Sequence, residues 1–281
     1  MIYDAPVFRP LGDRYLGVEF GDEANLLLNF RVLALAAALA EDPIEGVIEV
    51  IPSLRELGLV FDWERTSHAR LEAAIRPLLP RTSRPAKLPS RLVRLPVWYD
   101  DPWSAEVARR FNVEKNIDFI ARHNNMTVED VVRVHTSSDY WVVCVGFTPG
   151  CYFSRVLDPA NWLTAPKYKT PRSYTPARML ALAGFSTGAY PVASPGGYQL
   201  LGRLAVNIYE PVPRNKAFPE DGVLLKAGDR LRYQAVGPLE YDEIWDAVQR
   251  GTYDYDIREE VFDVTAYLKT YGSAGTASAD R

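Results

Sequence analysis

The sequence predicts an α+β protein with two folded parts, an α/β sandwich followed by an antiparallel β-barrel or β-sandwich. Strand and helix patterns alternate along the first third of the chain. After His135 the pattern changes to short β-rich runs separated by proline and glycine clusters. The chain has 281 residues, which is enough for two small domains.

The first part contains predicted elements in the order β-α-β-β-α-β. Alternating or β-branched residues indicate the strands, and leucine and alanine at helical spacing indicate the helices. These elements lie at residues 15–20, 25–39, 47–51, 57–61, 67–79 and 92–97. Their order is typical of a split βαβ, ferredoxin-like sandwich. A proline-rich stretch at residues 80–91 has no apolar periodicity and is predicted as a linker or crossing segment.

The second part is predicted to begin with helices and to continue with short strands. Helices are expected at residues 104–111 and 113–123, and a third begins with a capping-box-like pattern at Thr127. The β-rich runs lie at residues 141–147, 179–183, 198–201, 205–209 and 231–235. A last helix is predicted at 241–250, and residues 273–281 are small and polar, which is typical of a frayed end.

These patterns predict three segments. A ferredoxin-like domain is expected at residues 1–91 and a β-barrel domain with a helical insertion at 92–240. A C-terminal helical segment and tail are expected at 241–281.

Composition excludes several function classes. The chain has 32 basic and 36 acidic side chains and no basic patch, which disfavours a nucleic-acid binder. Two cysteines and three histidines are too few for a disulfide framework or a zinc cluster. The longest apolar run, residues 32–40, is far shorter than the ~20 residues that span a bilayer. Because no signal peptide is visible either, we expect a cytoplasmic protein.

One motif suggests a serine hydrolase. Residues 184–188 match G-x-S-x-G, but that motif requires a helix directly after the serine and a histidine late in the chain. Pro191 interrupts such a helix, and all three histidines precede Ser186. We therefore interpret the motif as a glycine-bounded turn between barrel strands.

His135 and the two cysteines are further candidates for chemistry. Asp139 follows His135 by four residues, so the two form either a general-base pair or a structural turn, and the structural interpretation is favoured. Cys144 and Cys151 have a spacing that fits no metal motif. Cys144 alternates with apolar neighbours as a buried strand residue does, and a reactive role for Cys151 is the less favoured interpretation.

Glycine and proline are concentrated in four clusters between residues 146 and 198. Such clusters fix the backbone where a loop approaches a ligand closely, although each cluster alone is adequately explained by turn chemistry. Lys167, Lys169, Arg172 and several tyrosines lie between them. Cationic side chains beside backbone amides suit a carboxylate, a carbamate or a developing oxyanion. No Walker A sequence is present, which argues against the usual nucleotide-phosphate site.

The same clusters resemble one superfamily. It includes the sporulation kinase inhibitor KipI, the B subunit of 5-oxoprolinase and the C–D half of the carboxyltransferase domain of urea carboxylase, and it is also named after allophanate hydrolase subunit 1. The resemblance is carried by Gly146-Phe147-Thr148-Pro149-Gly150, Leu157-Asp158-Pro159, Thr170-Pro171-Arg172 and Ser194-Pro195-Gly196-Gly197-Tyr198-Gln199. Pro10-Leu11-Gly12-Asp13-Arg14 is similar to the start of the same family, so nearly the whole chain is covered.

Three stretches resemble the urea carboxylase branch in particular. They are Asp100-Asp101-Pro102-Trp103 with residues 116–124, Arg172-Ser173-Tyr174-Thr175-Pro176, and residues 251–268. Gly146-Phe147-Thr148-Pro149-Gly150 is instead closer to the KipI type, so the pattern is mixed.

The resemblance implies a ferredoxin-like domain followed by a cyclophilin-like β-barrel. It also implies transfer of CO2 from carboxybiotin, carried on a separate protein, to an amide or amidine nitrogen of a urea-like compound. The implied partners are an A–B half similar to allophanate hydrolase subunit 2 or to the C subunit of 5-oxoprolinase, a biotin carrier and a biotin carboxylase. The chain has no room beyond its two domains for an ATP-grasp carboxylase and lacks a Met-Lys-Met biotin-acceptor sequence, as expected for one component of a larger complex.

Site residues follow from the resemblance and the clusters together. The catalytic candidates are Lys169, Arg172 and His135, with the two cations near the transferred carboxyl group. The candidates for binding substrate or biotin are Tyr174, Thr175, Tyr190, Pro195, Gly196, Gly197, Tyr198 and Gln199. No metal ligand is predicted. Two other functions remain open: the B subunit of an ATP-hydrolysing 5-oxoprolinase and a KipI-type inhibitor of a histidine kinase.

Overall fold

The computed structural model describes residues 1–272 and contains two compact units. The N-terminal unit comprises residues 1–90 and the part of the chain that begins at residue 260. The barrel unit comprises residues 91–259.

The N-terminal unit contains a four-stranded antiparallel sheet in the order β1-β2-β4-β3. Its elements up to residue 82 are β1 (Ile2–Pro10), β2 (Tyr15–Gly21), α1 (Leu26–Glu41), β3 (Val47–Pro52), β4 (Glu56–Phe61), α2 (His68–Ile75), a 3-10 turn (Arg76–Leu78) and α3 (Leu79–Thr82). Alternate residues of β2 and β4, such as Val18 and Leu59, form one core with the apolar side chains of α1 and α2. Asn25 caps α1 by accepting a hydrogen bond from the backbone amide of Leu27 at 2.9 Å.

The central elements of this unit agree with the sequence prediction, but its last strand does not. The strand predicted at residues 92–97 lies within β5 (Lys87–Tyr99), which belongs to the barrel sheet. β1 occupies the place beside β2 instead. The split βαβ prediction was wrong at this edge because β1 is largely exposed and shows no alternation of apolar residues. The helix predicted at 67–79 ends early, since Pro77 and Pro80 have no amide hydrogen to continue it.

The elements after β5 up to residue 259 belong to the barrel unit. The elements that follow β5 are α4 (Pro102–Arg110), α5 (Asn116–His123), α6 (Val128–Thr136), β6 (Tyr140–Val145), β7 (Tyr152–Val156), β8 (Arg172–Thr175), β9 (Met179–Ala183), β10 (Ser186–Tyr190), β11 (Ser194–Gly196), β12 (Gln199–Leu204), β13 (Arg230–Ala235), α7 (Pro238–Gln249), β14 (Ile257–Asp263) and α8 (Val264–Tyr271). The last two, β14 and α8, continue beyond the barrel unit. β8 and β11 form a separate two-stranded sheet.

Seven strands close into a barrel in the order β12-β9-β10-β7-β6-β13-β5, because β5 pairs again with β12. The closing pairs run from Gly202 with Tyr99 to Leu204 with Val97. Neighbouring strands are antiparallel except β13 and β5, which run parallel. A Cβ atom at residue 202 would overlap the carbonyl oxygen of Trp98, so glycine permits the close approach at the seam.

The barrel confirms the change of pattern seen in the sequence after His135 and corrects some of its details. The strands predicted at 141–147, 179–183, 198–201 and 231–235 are present, with ends that differ by at most three residues. The strand predicted at 205–209 is absent apart from a single bridge between Tyr209 and Val223. β7, β10, β14 and α8 were not predicted. The predicted tail at 273–281 lies outside the described residues.

The G-x-S-x-G motif is a turn, as predicted. Ala183 pairs with Ser186, so Gly184 and Phe185 form a two-residue connection between β9 and β10. Ser186 begins a strand and not a helix. The capping box predicted at Thr127 is also present, with Asp130 as its reciprocal partner.

Within residues 1–272, no helix combines the length and hydropathy needed to cross a bilayer. The same residues contain no cluster of three or more histidine, cysteine, aspartate or glutamate side chains suited to a metal ion.

Candidate functional site

An aromatic cavity of about 340 Å³ lies on the barrel unit. Six aromatic residues belong to its lining: Phe147, Tyr152, Phe153, Tyr168, Tyr190 and Tyr198. We call it the aromatic cavity. Its walls come from β7, β10, the loop before β8 and the residues between β11 and β12. The proline and glycine clusters predicted to form a site therefore converge on one depression.

The loop before β8 and the residues between β11 and β12 are joined by direct hydrogen bonds. The backbone amide of Tyr168 donates to the carbonyl oxygen of Gly197 at 2.9 Å. Arg172 donates from Nη2 to the carbonyl oxygen of Tyr198 at 2.7 Å, and its guanidinium lies 5.1 Å from the centre of the Tyr168 ring. The two loops are therefore held as one rigid wall.

Asn116, the first residue of α5, ties this wall to the helical insertion. Its Oδ1 accepts from the backbone amide of Leu200 at 2.9 Å and from Nη1 of Arg172 at 3.5 Å. Its Nδ2 donates to the Tyr168 hydroxyl at 2.6 Å. Since the side chain is buried, both of its polar atoms are satisfied within the protein.

Gly196 is required by the position of Tyr190. A Cβ atom at residue 196 would overlap the hydroxyl and ring of Tyr190. The Tyr190 hydroxyl accepts a hydrogen bond from the backbone amide of Tyr198 at 3.3 Å, which leaves its own hydrogen to be donated. Glycine here brings the backbone against a tyrosine hydroxyl at the cavity wall.

The aromatic cavity is electrically neutral apart from one cation. Burial raises the pKa of the Tyr198 hydroxyl and of the Cys151 thiol to about 12, so both keep their protons at neutral pH. Lys167 supplies the cation, with Nζ 5.1 Å from the centre of the Tyr198 ring. Among the described residues, the lining includes no carboxylate, histidine or arginine. This arrangement suits a flat, mainly apolar ligand with a polar or anionic edge.

A second, smaller cavity of about 200 Å³ shares Lys167 and Tyr168 with the first. Lys169, Glu114 and Gln199 also line it, and we call it the lysine cavity. Glu114 is engaged by Arg122 at 2.6 Å. Lys167 and Lys169 are exposed and form no ion pair within residues 1–272.

The predicted site residues fall into three groups. Five line the aromatic cavity: Tyr190, Pro195, Gly196, Gly197 and Tyr198. Lys169 and Gln199 line the lysine cavity. Arg172, Thr175, Tyr174 and His135 line neither of the two.

Arg172 contacts the loops that form the cavity wall and does not line the cavity itself. Arg172 is buried, and burial lowers the pKa of its guanidinium without removing its charge. Its Nε lies 3.4 Å from the hydroxyl of Thr175, which is fully buried. Tyr174 points elsewhere, with its ring 5.1 Å from the guanidinium of Arg110. This geometry assigns Arg172 to positioning the loops.

His135 lies inside the barrel and not at the cavity. Its Nδ1 is 2.7 Å from the Tyr99 hydroxyl and its Nε2 is 3.4 Å from the Thr187 hydroxyl. Full burial lowers the pKa of His135 to about 3. Asp139 does not pair with it, since Arg232 donates to Asp139 at 2.5 Å. The catalytic candidate His135 is therefore corrected to the structural histidine that was weighed against it.

Several cavity residues were missed by the sequence analysis. Phe147 is 67% exposed at the cavity and has a φ of 77°, a left-handed conformation that is unusual for a bulky residue. It lies in the first glycine–proline cluster, which was the available signal. Phe153 gave no signal, because nothing in the local pattern distinguishes it from an ordinary strand residue. Asn116, which supports the cavity wall, lies in the stretch 116–124 that resembles urea carboxylase, but was not named as a site residue.

Comparisons with known proteins identify the family and agree with the fold. A family model for the carboxyltransferase domain, subdomains C and D, matches residues 6–219. The chain is 29% identical to the B subunit of 5-oxoprolinase from Bacillus subtilis over 241 residues, covering 82% of this chain and 93% of that protein. It is 26% identical to urea amidolyase of Saccharomyces cerevisiae over 281 residues, covering 94% of this chain but 15% of that protein.

A solved structure has the same fold. The crystal structure of the Kluyveromyces lactis urea carboxylase superposes with a TM-score of 0.83 at 23% identity, over 97% of this chain and 26% of that one. Together with the family match, this confirms the resemblance carried by the glycine–proline clusters. The chain belongs to the carboxyltransferase domain family, subdomains C and D, and is related to urea carboxylase and to the B subunit of 5-oxoprolinase.

Proposed function

We propose that the chain is the C–D half of the carboxyltransferase in a split biotin-dependent carboxylase. In this role it transfers CO2 from carboxybiotin on a separate carrier protein to an amide or amidine nitrogen of a urea-like substrate. The observation that carries the proposal is the aromatic cavity, in which the Lys167 ammonium lies beside uncharged aromatic residues.

The residues of this cavity fit a carboxylated ureido ring. Tyr190 and Tyr198 offer aromatic surface for a bicyclic ring, and the Tyr190 hydroxyl hydrogen is available for a ureido oxygen. The Lys167 ammonium suits the carboxylate of the carboxylated ring. Bound there, carboxybiotin supplies the activated carboxyl group.

This chain's own residues orient the donor and exclude water. The wall made by Tyr168, Arg172 and Gly197 fixes the loop that faces the ligand. A preorganised wall of this kind lowers the entropic cost of bringing donor and acceptor together. The backbone around Gly196 and Gly197 is proposed to stabilise the developing charge on the ureido oxygen.

We propose that the base comes from another chain. Within the described residues, the aromatic cavity offers no group that takes a proton from the attacking nitrogen at neutral pH. We propose that an A–B half, similar to allophanate hydrolase subunit 2 or to the C subunit of 5-oxoprolinase, completes the site. A biotin carrier and a biotin carboxylase supply the donor.

Reconstitution tests this function. The full chain is mixed with an A–B half, biotin carboxylase, biotinylated carrier, ATP and labelled bicarbonate, and label transfer to urea or guanidine is measured. We expect acceptor-dependent transfer that falls at least tenfold in Lys167→Met. Lys216→Met is the matched control, because Lys216 is 85% exposed and pairs on the surface with Asp254. Transfer that does not require this chain would contradict the proposal.

A second candidate is the role of the B subunit in 5-oxoprolinase. It is favoured by the alignment that covers 93% of the Bacillus subtilis protein. The urea amidolyase alignment covers more of this chain, 94% against 82%, and this favours the carboxylase. The two are separated by supplying 5-oxoproline and ATP with the other oxoprolinase components and measuring glutamate, which forms only if the second role is correct.

A further inference from the structure

Arg172 is a buried cation with no counter-ion among residues 1–272. The residue is 4% exposed, and the acceptors of its hydrogen bonds are uncharged. They are the Thr175 hydroxyl, the side-chain oxygen of Asn116 and the carbonyl oxygen of Tyr198. Taking a charge out of water is costly, and a carboxylate usually offsets that cost in a native protein. An unneutralised charge next to the wall of a ligand cavity therefore calls for an anion in that cavity.

The backbone of Tyr198 connects this charge to the Tyr190 hydroxyl. Nη2 of Arg172 donates to the carbonyl oxygen of Tyr198 at 2.7 Å, and the backbone amide of Tyr198 donates to the Tyr190 hydroxyl at 3.3 Å. Burial raises the pKa of this hydroxyl, whereas the Tyr198 amide and the Arg172 guanidinium oppose the rise. The charge of Arg172 therefore acts on the Tyr190 hydroxyl.

Tyr190 links Arg172 to the aromatic cavity, because Tyr190 belongs to the lining and Arg172 does not. The hydroxyl accepts one hydrogen bond and keeps its own hydrogen for donation. A cation beside a hydroxyl group strengthens it as a donor, and this polarisation is larger in a buried setting than in water.

We propose that Arg172 acts through the Tyr190 hydroxyl to stabilise negative charge on an oxygen atom of the ligand in the aromatic cavity. Lys167, which is exposed and belongs to the lining, supplies a second positive charge. Arg172 is thus a positioning residue whose charge contributes in addition to its contacts with the loops. That the ligand oxygen is the ureido oxygen of biotin rests on the proposed function, whereas the preference for an anion does not.

Calorimetric titration of the full chain tests this preference without biotin or partner proteins. The probes are barbituric acid and dihydrouracil, two cyclic ureides of the same ring size. At neutral pH the first is an anion whose charge is shared by its ring oxygens, and the second is uncharged. We expect the wild type to bind barbiturate at least tenfold more tightly than dihydrouracil. Equal affinity for the two would overturn the proposal.

The ratio of the two affinities separates the charge of Arg172 from its support of the loops. Arg172→Gln keeps an amide that can donate to the Tyr198 carbonyl but carries no charge, so we expect the ratio to fall about tenfold. Thr175→Val is the structural control, since it removes a partner of Arg172 and no charge, and the ratio should stay at its wild-type value. Arg110→Gln is the charge control, because Arg110 is exposed and stacks on Tyr174 away from the cavity. An equal loss of both affinities in Arg172→Gln would refute the role of its charge.

Two further variants decide the proposal if Arg172→Gln does not fold. Tyr190→Phe removes the hydroxyl and should lower the ratio, so a wild-type ratio in this variant would overturn the link through Tyr190. Lys167→Met should keep part of the preference for barbiturate, because the charge of Arg172 remains. Complete loss of the preference in Lys167→Met would assign it to Lys167 alone and refute the proposal.

A failure here is distinct from a failure of the carboxylase proposal. Label transfer together with a ratio that does not depend on Arg172 would refute only the role of its charge. A ratio that depends on Arg172, without label transfer, would support that role and refute the carboxylase.

Discussion

The aromatic cavity and the interior of the barrel are built from similar side chains and behave differently. The interior groups Tyr99, His135, Tyr140, Tyr152 and Tyr233, with the rings of Tyr140 and Tyr233 packed on His135. Four of these residues are hydrogen-bonded inside the barrel: the Tyr152 hydroxyl lies 2.9 Å from that of Tyr233, and the Tyr99 hydroxyl lies 2.7 Å from Nδ1 of His135. In the aromatic cavity, the Tyr190 hydroxyl accepts a hydrogen bond and keeps its own hydrogen for donation, and Lys167 forms no ion pair within residues 1–272.

Tyr152 belongs to both regions. The residue is part of the lining of the aromatic cavity, while its hydroxyl is bonded inside the barrel. The difference between the regions is therefore one of satisfied and unsatisfied polar groups, and not of residue type. Groups that are already paired stabilise the fold, and groups left unpaired are available for recognition.

The largest effect expected from this comparison is on stability. His135→Ala removes a fully buried ring and leaves the Tyr99 hydroxyl unpaired, so we expect the free energy of unfolding to fall by about 3 kcal/mol. Urea unfolding followed by tryptophan fluorescence measures it. Label transfer by the folded variant should stay within twofold of wild type.

His123→Ala is the matched control. His123 is exposed and stacks on Phe119, so its removal should change the free energy of unfolding by less than about 0.5 kcal/mol. If His135→Ala kept its stability and lost activity, the assignment of His135 to the structural region would be wrong.

The second largest expected effect is on label transfer and comes from a change in the wall of the aromatic cavity. Gly196→Ala places a methyl group on the hydroxyl and ring of Tyr190 and must displace one of them. We expect the rate of label transfer to fall ~100-fold, which corresponds to about 2.7 kcal/mol. Gly146→Ala is the control, since a Cβ there meets no atom within 4 Å. Near-normal transfer by Gly196→Ala would show that the wall tolerates movement.

The third effect is a pH dependence that only the interior should show. The pKa of His135 is about 3 in the fold and ~6.5 in an unfolded chain. Between these values the unfolded state binds more protons, so this contribution is fully present above pH ~6.5 and is lost as the pH falls towards 3.

We expect it to lower the free energy of unfolding by about 2 kcal/mol between pH 8 and pH 5. His135→Phe should abolish this part of the slope, and His123→Phe should keep it. Chemical unfolding at several pH values measures both. An unchanged slope in His135→Phe would show that other groups produce the dependence.

The sequence predicted most of what depends on local pattern. The capping box at Thr127 and the strand at 179–183 were found because their signals are contained in a few residues. The residue pattern alone did not distinguish a barrel from a sandwich, because the closing pair of β5 with β12 joins residues that are distant in the chain. The barrel was predicted only through the family resemblance.

In the site, too, local pattern predicted some features, whereas others depend on residues that are distant in the chain. Tyr190, Gly196 and Tyr198 were predicted to belong to it from the glycine–proline clusters and the family motif, and they line one cavity. Whether Arg172 faces a ligand or supports a loop depends on its contact with the carbonyl of Tyr198, which no local pattern contains. The interior position of His135 likewise depends on Tyr99 and Thr187.

The parallel pairing of β5 with β13 affects how the protein is made. Residues 92–97 must wait for residues 230–235 before this pair forms. During synthesis the early strand therefore leaves the ribosome long before its partner does. Since non-local pairing requires a large loss of chain entropy first, closure is expected to be late and slow. Until then, β5 lacks one of its partner strands, and an unpaired apolar strand raises the risk of aggregation during folding.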